Sequence, residues 1–131
     1  MMYPEGLKYA KTHEWLKVED NEGKVGITYY AQDRLGDITF VELPQVGAEL
    51  TKGKSFGTVE SFKAVSEFYA PVSGKVIQVN KELRDNPELI NQDPYGQGWI
   101  LVVEIASPAE MEELLSPSDY EQWVKQQEEV G

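Results

Sequence analysis

Apolar and polar residues alternate in short runs along most of this chain, and a longer period takes over only near the end. Leu7 to Tyr9, Glu14 to Val18 and Lys24 to Ile27 read as strands, the latter two joined by the turn cluster Asp20-Asn21-Glu22-Gly23. Thr28 is placed to cap a short helix through Tyr29, Tyr30, Ala31 and Leu35, with Gly36 as its left-handed stop. Ile38 to Leu43 follows as a strand that Pro44 breaks, and Gly47 and Gly53 bracket a turn-rich stretch around Leu50. Ser55 to Val59 and Val65 to Ala70 are rich in β-branched and aromatic residues, so they read as a hairpin with Lys63 near its tip.

Lys75 to Asn80 predicts a further strand in which Val76 and Ile77 pack, Lys81 to Asn86 a polar loop, and Pro87 to Ile90 a helical turn. Trp99 to Ile105 is a continuous apolar run of strand length. Ser107-Pro108-Ala109-Glu110 spells a capping box and predicts a helix over Met111 to Leu115. Ser116-Pro117 opens another, in which Tyr120, Trp123 and Val124 fall at helical spacing and form a stripe for docking on a sheet. Glu128 and Glu129 read as a solvated, frayed end.

The composition narrows the chemistry. The 131 residues suit one domain over 1–131, and 40% hydrophobic content is ordinary for a packed core. With 23 Asp and Glu against 12 Lys and Arg, the net charge of −11 repels nucleic-acid phosphates and anionic membranes, so neither is an expected partner. The chain has no cysteine and one histidine, His13. Thiolate metal sites, disulfides and cysteine nucleophiles are excluded, and imidazole-rich sites and most triads nearly so. His13 has no partner ligand at metal spacing and reads as a structural or surface residue. Gly47 to Ser55 resembles a phosphate-binding loop but has the wrong glycine spacing and leads into a strand instead of a helix. Glu60 and Glu67 read as surface charge, so no enzyme active site emerges. The N-terminal Met1 to Gly6 lacks the blocks of a signal peptide and no run reaches membrane-span length, which makes the cytoplasm the expected location.

A lysine at a hairpin tip is ordinarily a solubilising residue; here its flanks say more. Val46 to Lys63, continuing through Ala70-Pro71-Val72-Ser73-Gly74-Lys75-Val76, resembles the lipoyl/biotinyl carrier domains, in which a glycine turn leads into a strand, a lysine sits at an exposed tip and an Ala-Pro-x-x-Gly-x-Val segment returns the chain. Biotin carriers flank that lysine with methionines, whereas Lys63 lies between Phe62 and Ala64, so the resemblance favours lipoate over biotin. Glu60-Ser61-x-Lys63-Ala64, Tyr69 to Gly74 and Asn91-x-Asp93-Pro94-Tyr95-Gly96-x-Gly98-Trp99 are similar to the glycine cleavage H-protein family. Tyr9 to Trp15, Val25 to Thr28, Leu35 to Asp37 and Phe40 to Pro44 extend the similarity over nearly the whole chain. Phe62 departs from it, standing where the family more often has valine.

The resemblance implies a mostly β fold, a barrel-sandwich hybrid of two small antiparallel sheets, with a short helix in the N-terminal region, a core hairpin around 55–79 and a C-terminal helical extension over 107–130. It implies a non-enzymatic carrier with lipoate covalently attached to Lys63. The arm would shuttle the aminomethyl group of glycine from a pyridoxal-phosphate decarboxylase to a tetrahydrofolate-dependent aminomethyltransferase, then be reoxidised by dihydrolipoamide dehydrogenase. A lipoate-protein ligase or a lipoyl/octanoyl transferase would attach it. Glu14 and Glu67 are the candidates for sheltering the loaded arm. The location implied is the cytoplasm, or the mitochondrial matrix for a processed eukaryotic protein. A module serving mainly lipoate or octanoate relay, a biotin carrier and an unmodified interaction domain are the alternatives that stay open.

Overall fold

The computed structural model describes residues 3–130. Its strands are β1 (Lys8–Tyr9), β2 (Glu14–Glu19), β3 (Glu22–Ile27), β4 (Ile38–Glu42), β5 (Glu49–Leu50), β6 (Ser55–Ser61), β7 (Val65–Tyr69), β8 (Gly74–Val79) and β9 (Leu101–Ile105). They form two antiparallel sheets, one of six strands in the order β1-β2-β3-β9-β8-β5 and one of three in the order β4-β6-β7. Leu16, Val25, Val76 and Val103 from the larger sheet and Val41, Val59 and Phe68 from the smaller face one another in the buried core. The alternation in the sequence has this cause: each strand turns one side inward.

Helix α1 (Tyr29–Leu35) begins where Thr28 Oγ1 accepts the amide hydrogen of Ala31, at 3.2 Å. It ends at Gly36, whose φ of 78° is open to glycine and whose amide closes on Gln32 O. Asn91 holds the passage from α1 into β4: its side-chain oxygen accepts from Ile38 N at 2.9 Å, and its side-chain nitrogen donates to Gly36 O at 2.9 Å and Gln32 Oε1 at 3.0 Å. The end of the helix and the start of the strand are thereby tied to one polar side chain.

Several elements differ from the sequence reading. Glu82–Asp85 within the expected loop forms a helical turn, α2, because Leu83 is buried and anchors it; α3 (Leu89–Gln92) lies slightly beyond the predicted turn. The capping box at Ser107 does not form. Glu110 turns away to accept from Ser73 N at 2.8 Å and Ser73 Oγ at 2.9 Å, and Pro108–Glu113 winds as a 3-10 helix with no side-chain cap. Helix α4 (Pro117–Val130) forms as expected, burying Tyr120 and Val124 against Tyr3, Tyr9 and Trp15. Glu128 is exposed, and the side chain of Glu129 lies outside the described residues.

Candidate functional site

Lys63 lies in the turn joining β6 to β7. Ser61 closes that turn: its amide donates to Ala64 O at 2.8 Å, and its hydroxyl oxygen accepts from the amides of Lys63 and Ala64, each at 3.2 Å. Phe62 N donates to Asp37 O at 3.3 Å, which pins the tip to the segment after α1. The backbone is thus held while the lysine stays exposed. Its stem lies over Gly36, where a Cβ would stand 3.0 Å from Lys63 Cε. A side chain at 36 would meet both an unfavourable φ and the lysine.

Beside Gly36 opens a cavity of about 250 Å3 between α1, β2 and the free edge of β7. Ile27, Ala31, Leu35, Val59 and Phe68 give it apolar walls, and Thr12, Glu14 and Glu67 give it oxygen donors and acceptors. Both sequence candidates for sheltering an arm therefore line one cavity, in very different states. Glu14 is only 1% exposed, with one carboxyl oxygen accepting from Thr12 Oγ1 and the other from Tyr69 N at 2.9 Å. Burial pushes its pKa up to about 8, although those hydrogen bonds favour the carboxylate. Glu67 is exposed, and Tyr69 donates its hydroxyl to it at 3.3 Å.

His13 lines the same cavity and holds a φ of 81°, a left-handed conformation uncommon outside glycine. Its Nδ1 shares a hydrogen bond with Tyr120 Oη at 2.7 Å, and Tyr120 Oη another with Thr28 Oγ1 at 2.7 Å. Burial, with the Arg34 guanidinium second, lowers its pKa to about 4, so it is neutral at pH 7. The structural reading of His13 agrees with this: it joins the cavity to α4. Sequence reasoning missed Thr12, Tyr30 and Arg34 as lining residues. Thr12 was within reach, two residues before Glu14 in the matched segment; Tyr30 and Arg34 are one helical turn apart on α1, a spacing that many surface helices share.

Gly74 is required by space and not by its backbone conformation. Its backbone φ is not among the positive ones, and a side chain is excluded by space instead: a Cβ would lie 2.0 Å from Glu104 O across the β8–β9 pair. The segment Asp93 to Tyr95 finds its role in packing, where Pro94 O accepts from Trp15 Nε1 at 3.0 Å and Tyr95 Oη accepts from Tyr29 N at 2.9 Å.

The two antiparallel sheets have the arrangement of the lipoyl-type barrel-sandwich fold. Residues 7–127 match the family model described as glycine cleavage H-protein. The chain is 56% identical over 126 residues to a glycine cleavage system H protein of Carboxydothermus hydrogenoformans, covering 96% of this chain and 97% of that one. It is 57% identical over 123 residues to one of Symbiobacterium thermophilum, covering 94% and 96%. In three dimensions it is similar to the crystal structure of a glycine cleavage system H protein from Mycobacterium marinum, with a TM-score of 0.82, 38% identity and coverage of 91% of this chain and 96% of the other. The chain belongs to the glycine cleavage H-protein family.

Proposed function

We propose that Lys63 is the lipoylation site and that the chain carries the aminomethyl group of glycine between the enzymes of glycine cleavage. The observation that supports this most is the closeness of tip and cavity: an exposed lysine whose stem rests on Gly36, next in the chain to Leu35, which lines a cavity with apolar walls and the buried carboxyl of Glu14. Such a cavity suits a methylene chain ending in a cationic amine. Joined by an amide to Lys63 Nζ, lipoate supplies a reversible dithiol that takes up and gives up that one-carbon amine, while the protein supplies presentation and shelter.

Glu14 is the residue we assign to hold a primary ammonium, with Thr12 and Tyr69 N orienting its two oxygens. A charged hydrogen bond there contributes roughly 1.5–3 kcal/mol. Glu67 stands at the exposed rim and acts on the same cation more weakly, screened by water. Ile27, Leu35, Val59 and Phe68 keep water from the enclosed group. The partners implied are a pyridoxal-phosphate decarboxylase, a tetrahydrofolate-dependent aminomethyltransferase, dihydrolipoamide dehydrogenase and the enzyme that acylates Lys63. Tethering raises the effective concentration of the reacting end whenever the carrier docks. Incubation with a lipoate-protein ligase and lipoate tests the attachment: the parent chain gains the lipoyl mass on the peptide containing Lys63, and the reading fails if another lysine takes it.

A further inference from the structure

One buried hydroxyl ties two walls of the cavity together. Tyr120 on α4 is fully enclosed, stacked on Tyr9 with ring centroids 4.9 Å apart and edge-on to Tyr3 at 5.0 Å. A phenylalanine ring would pack there equally well, so the hydroxyl serves its two polar partners, His13 Nδ1 and Thr28 Oγ1, each at 2.7 Å. The direction of these bonds follows from counting hydrogens. Thr28 is fully buried, its Oγ1 accepts from Ala31 N, and among the described residues its own hydrogen has one acceptor, Tyr120 Oη. Tyr120 therefore donates to His13, whose Nδ1 accepts, and the neutral imidazole carries its hydrogen on Nε2. The reverse order would leave the buried Thr28 hydroxyl without an acceptor.

His13 needs an anchor. Its φ of 81° is one of two positive values outside glycine among the described residues, and a histidine holds such a backbone only where its surroundings fix it. Two hydrogen bonds come from its backbone, His13 N to Ala10 O at 2.9 Å and Thr28 N to His13 O at 3.0 Å. The third is the side-chain bond to Tyr120. The bend falls between Thr12 and Glu14, and Thr12 Oγ1 donates to Glu14 Oε1 across it. Thr12 is itself exposed, so its place beside Glu14 depends on the bend and not on burial.

We propose that Tyr120 is a positioning residue of the cavity: through the hydrogen bond it donates to His13, it holds the bend that keeps the Thr12 hydroxyl on the Glu14 carboxyl. The contact belongs to the unmodified chain, and its consequence for the arm rests on the proposed carrier role. Thr12 orients the oxygen that receives the ammonium, so the C-terminal helix takes part in the shelter without touching its contents.

The test begins on the full unmodified chain. With a single histidine to observe, 15N NMR of the parent should show a hydrogen on Nε2 and an accepting Nδ1. The Glu14 carboxyl is then titrated by 13C NMR. The Thr12 hydroxyl favours its charged form, so Tyr120→Phe should lower its acid dissociation constant about tenfold. Thr12→Val should do the same, and the double variant no more than either alone. The other ionisable groups near Glu14, His13, Tyr30, Arg34, Glu67 and Tyr69, are the same in these variants, so a common shift reports the Thr12 contact. His13→Phe breaks the same bond from its other end and leaves Tyr120 bonded to Thr28; it should give the same shift, and it decides the matter should Tyr120→Phe not fold. Tyr9→Phe removes the neighbouring buried hydroxyl with its bond to Pro4 O and should leave Glu14 titrating as in the parent. In the lipoylated, loaded chain Tyr120→Phe should release ammonia severalfold faster than the parent. A hydrogen on His13 Nδ1, an unchanged Glu14 titration in Tyr120→Phe and His13→Phe, a shift that adds to that of Thr12→Val, or an equal shift in Tyr9→Phe would overturn the proposal. Unchanged ammonia release beside a shifted titration would overturn the part of Tyr120 in the shelter. A parent that gains no lipoate would instead count against the carrier reading and leaves the titration result standing.

Discussion

Lys63 and Glu14 stand at the two ends of the site and are physical opposites. The lysine is in water on a turn that one serine organises, with its amino group reachable from solvent. Glu14 is enclosed, hydrogen-bonded on both oxygens and short of solvent, so its charged form is disfavoured until a cation arrives. An attachment point has to be reached by an enzyme, whereas a shelter has to exclude water. On the proposed reading the fold meets both demands by placing the lysine on the hairpin of the smaller sheet and the carboxyl on a strand of the larger one.

The contrast breaks most completely at the lysine. Lys63→Arg keeps a charge at the tip and leaves the turn hydrogen bonds to Ser61 intact, so the protein should melt as the parent does but gain no lipoate. Modification of that variant in ligase assays would move the site elsewhere.

The next largest effect is expected from pH. The folded pKa of Glu14 is raised from 4.5 to about 8, so the stability due to its neutral form is complete below 4.5 and is lost as pH rises through 8. His13 acts in the opposite sense. Its folded pKa is lowered from 6.5 to about 4, so stability is lost as pH falls through that window. The two slopes oppose each other between 4.5 and 6.5, leaving a net fall from 6.5 to 8. Glu14→Gln should remove that fall, which amounts to roughly 2 kcal/mol between pH 6.5 and 8, measured by denaturant unfolding at a series of pH values. A parent whose stability is flat from pH 6.5 to 8 would show that Glu14 is not neutral in the folded protein.

A smaller effect separates the two carboxyls. In loaded, purified protein without the transferase, Glu14→Ala should speed ammonia release by about tenfold to a hundredfold, from the loss of roughly 1.5–3 kcal/mol. Glu67→Ala should speed it only severalfold, because its carboxylate is exposed. The shelter should also strengthen as pH rises from 6 toward 8, since binding a cation to Glu14 releases its proton. Equal release rates in both variants and the parent would leave the cavity without a part in protecting the arm.

Much of this arrangement was legible in the residues. The strands, α1 with its Thr28 cap, the hairpin around Lys63 and the docking stripe of α4 arise from local periodicity and capping chemistry, which act over a few residues. The failures share a long-range cause. The sequence at Ser107 is a sound capping box, but Glu110 makes two hydrogen bonds to Ser73, a residue far off in the chain. Gly74 is needed because Glu104 O packs against it across the sheet, and no local signal carries that contact. Glu14 and Glu67 entered as candidates through a resemblance, and only the folded chain separates a buried carboxyl from an exposed one. The hydrogen bonds that join Tyr120 to His13 and Thr28 span 107 and 92 residues and are likewise invisible in the linear pattern.

The central claim, that this chain presents a lipoylated Lys63, is tested most directly by intact mass of the protein from its native source, followed by peptide mapping. The account predicts one lipoyl group per chain, on the peptide containing Lys63. A biotinyl mass, an unmodified chain from cells with an active lipoylation pathway, or lipoate on any other lysine would contradict it.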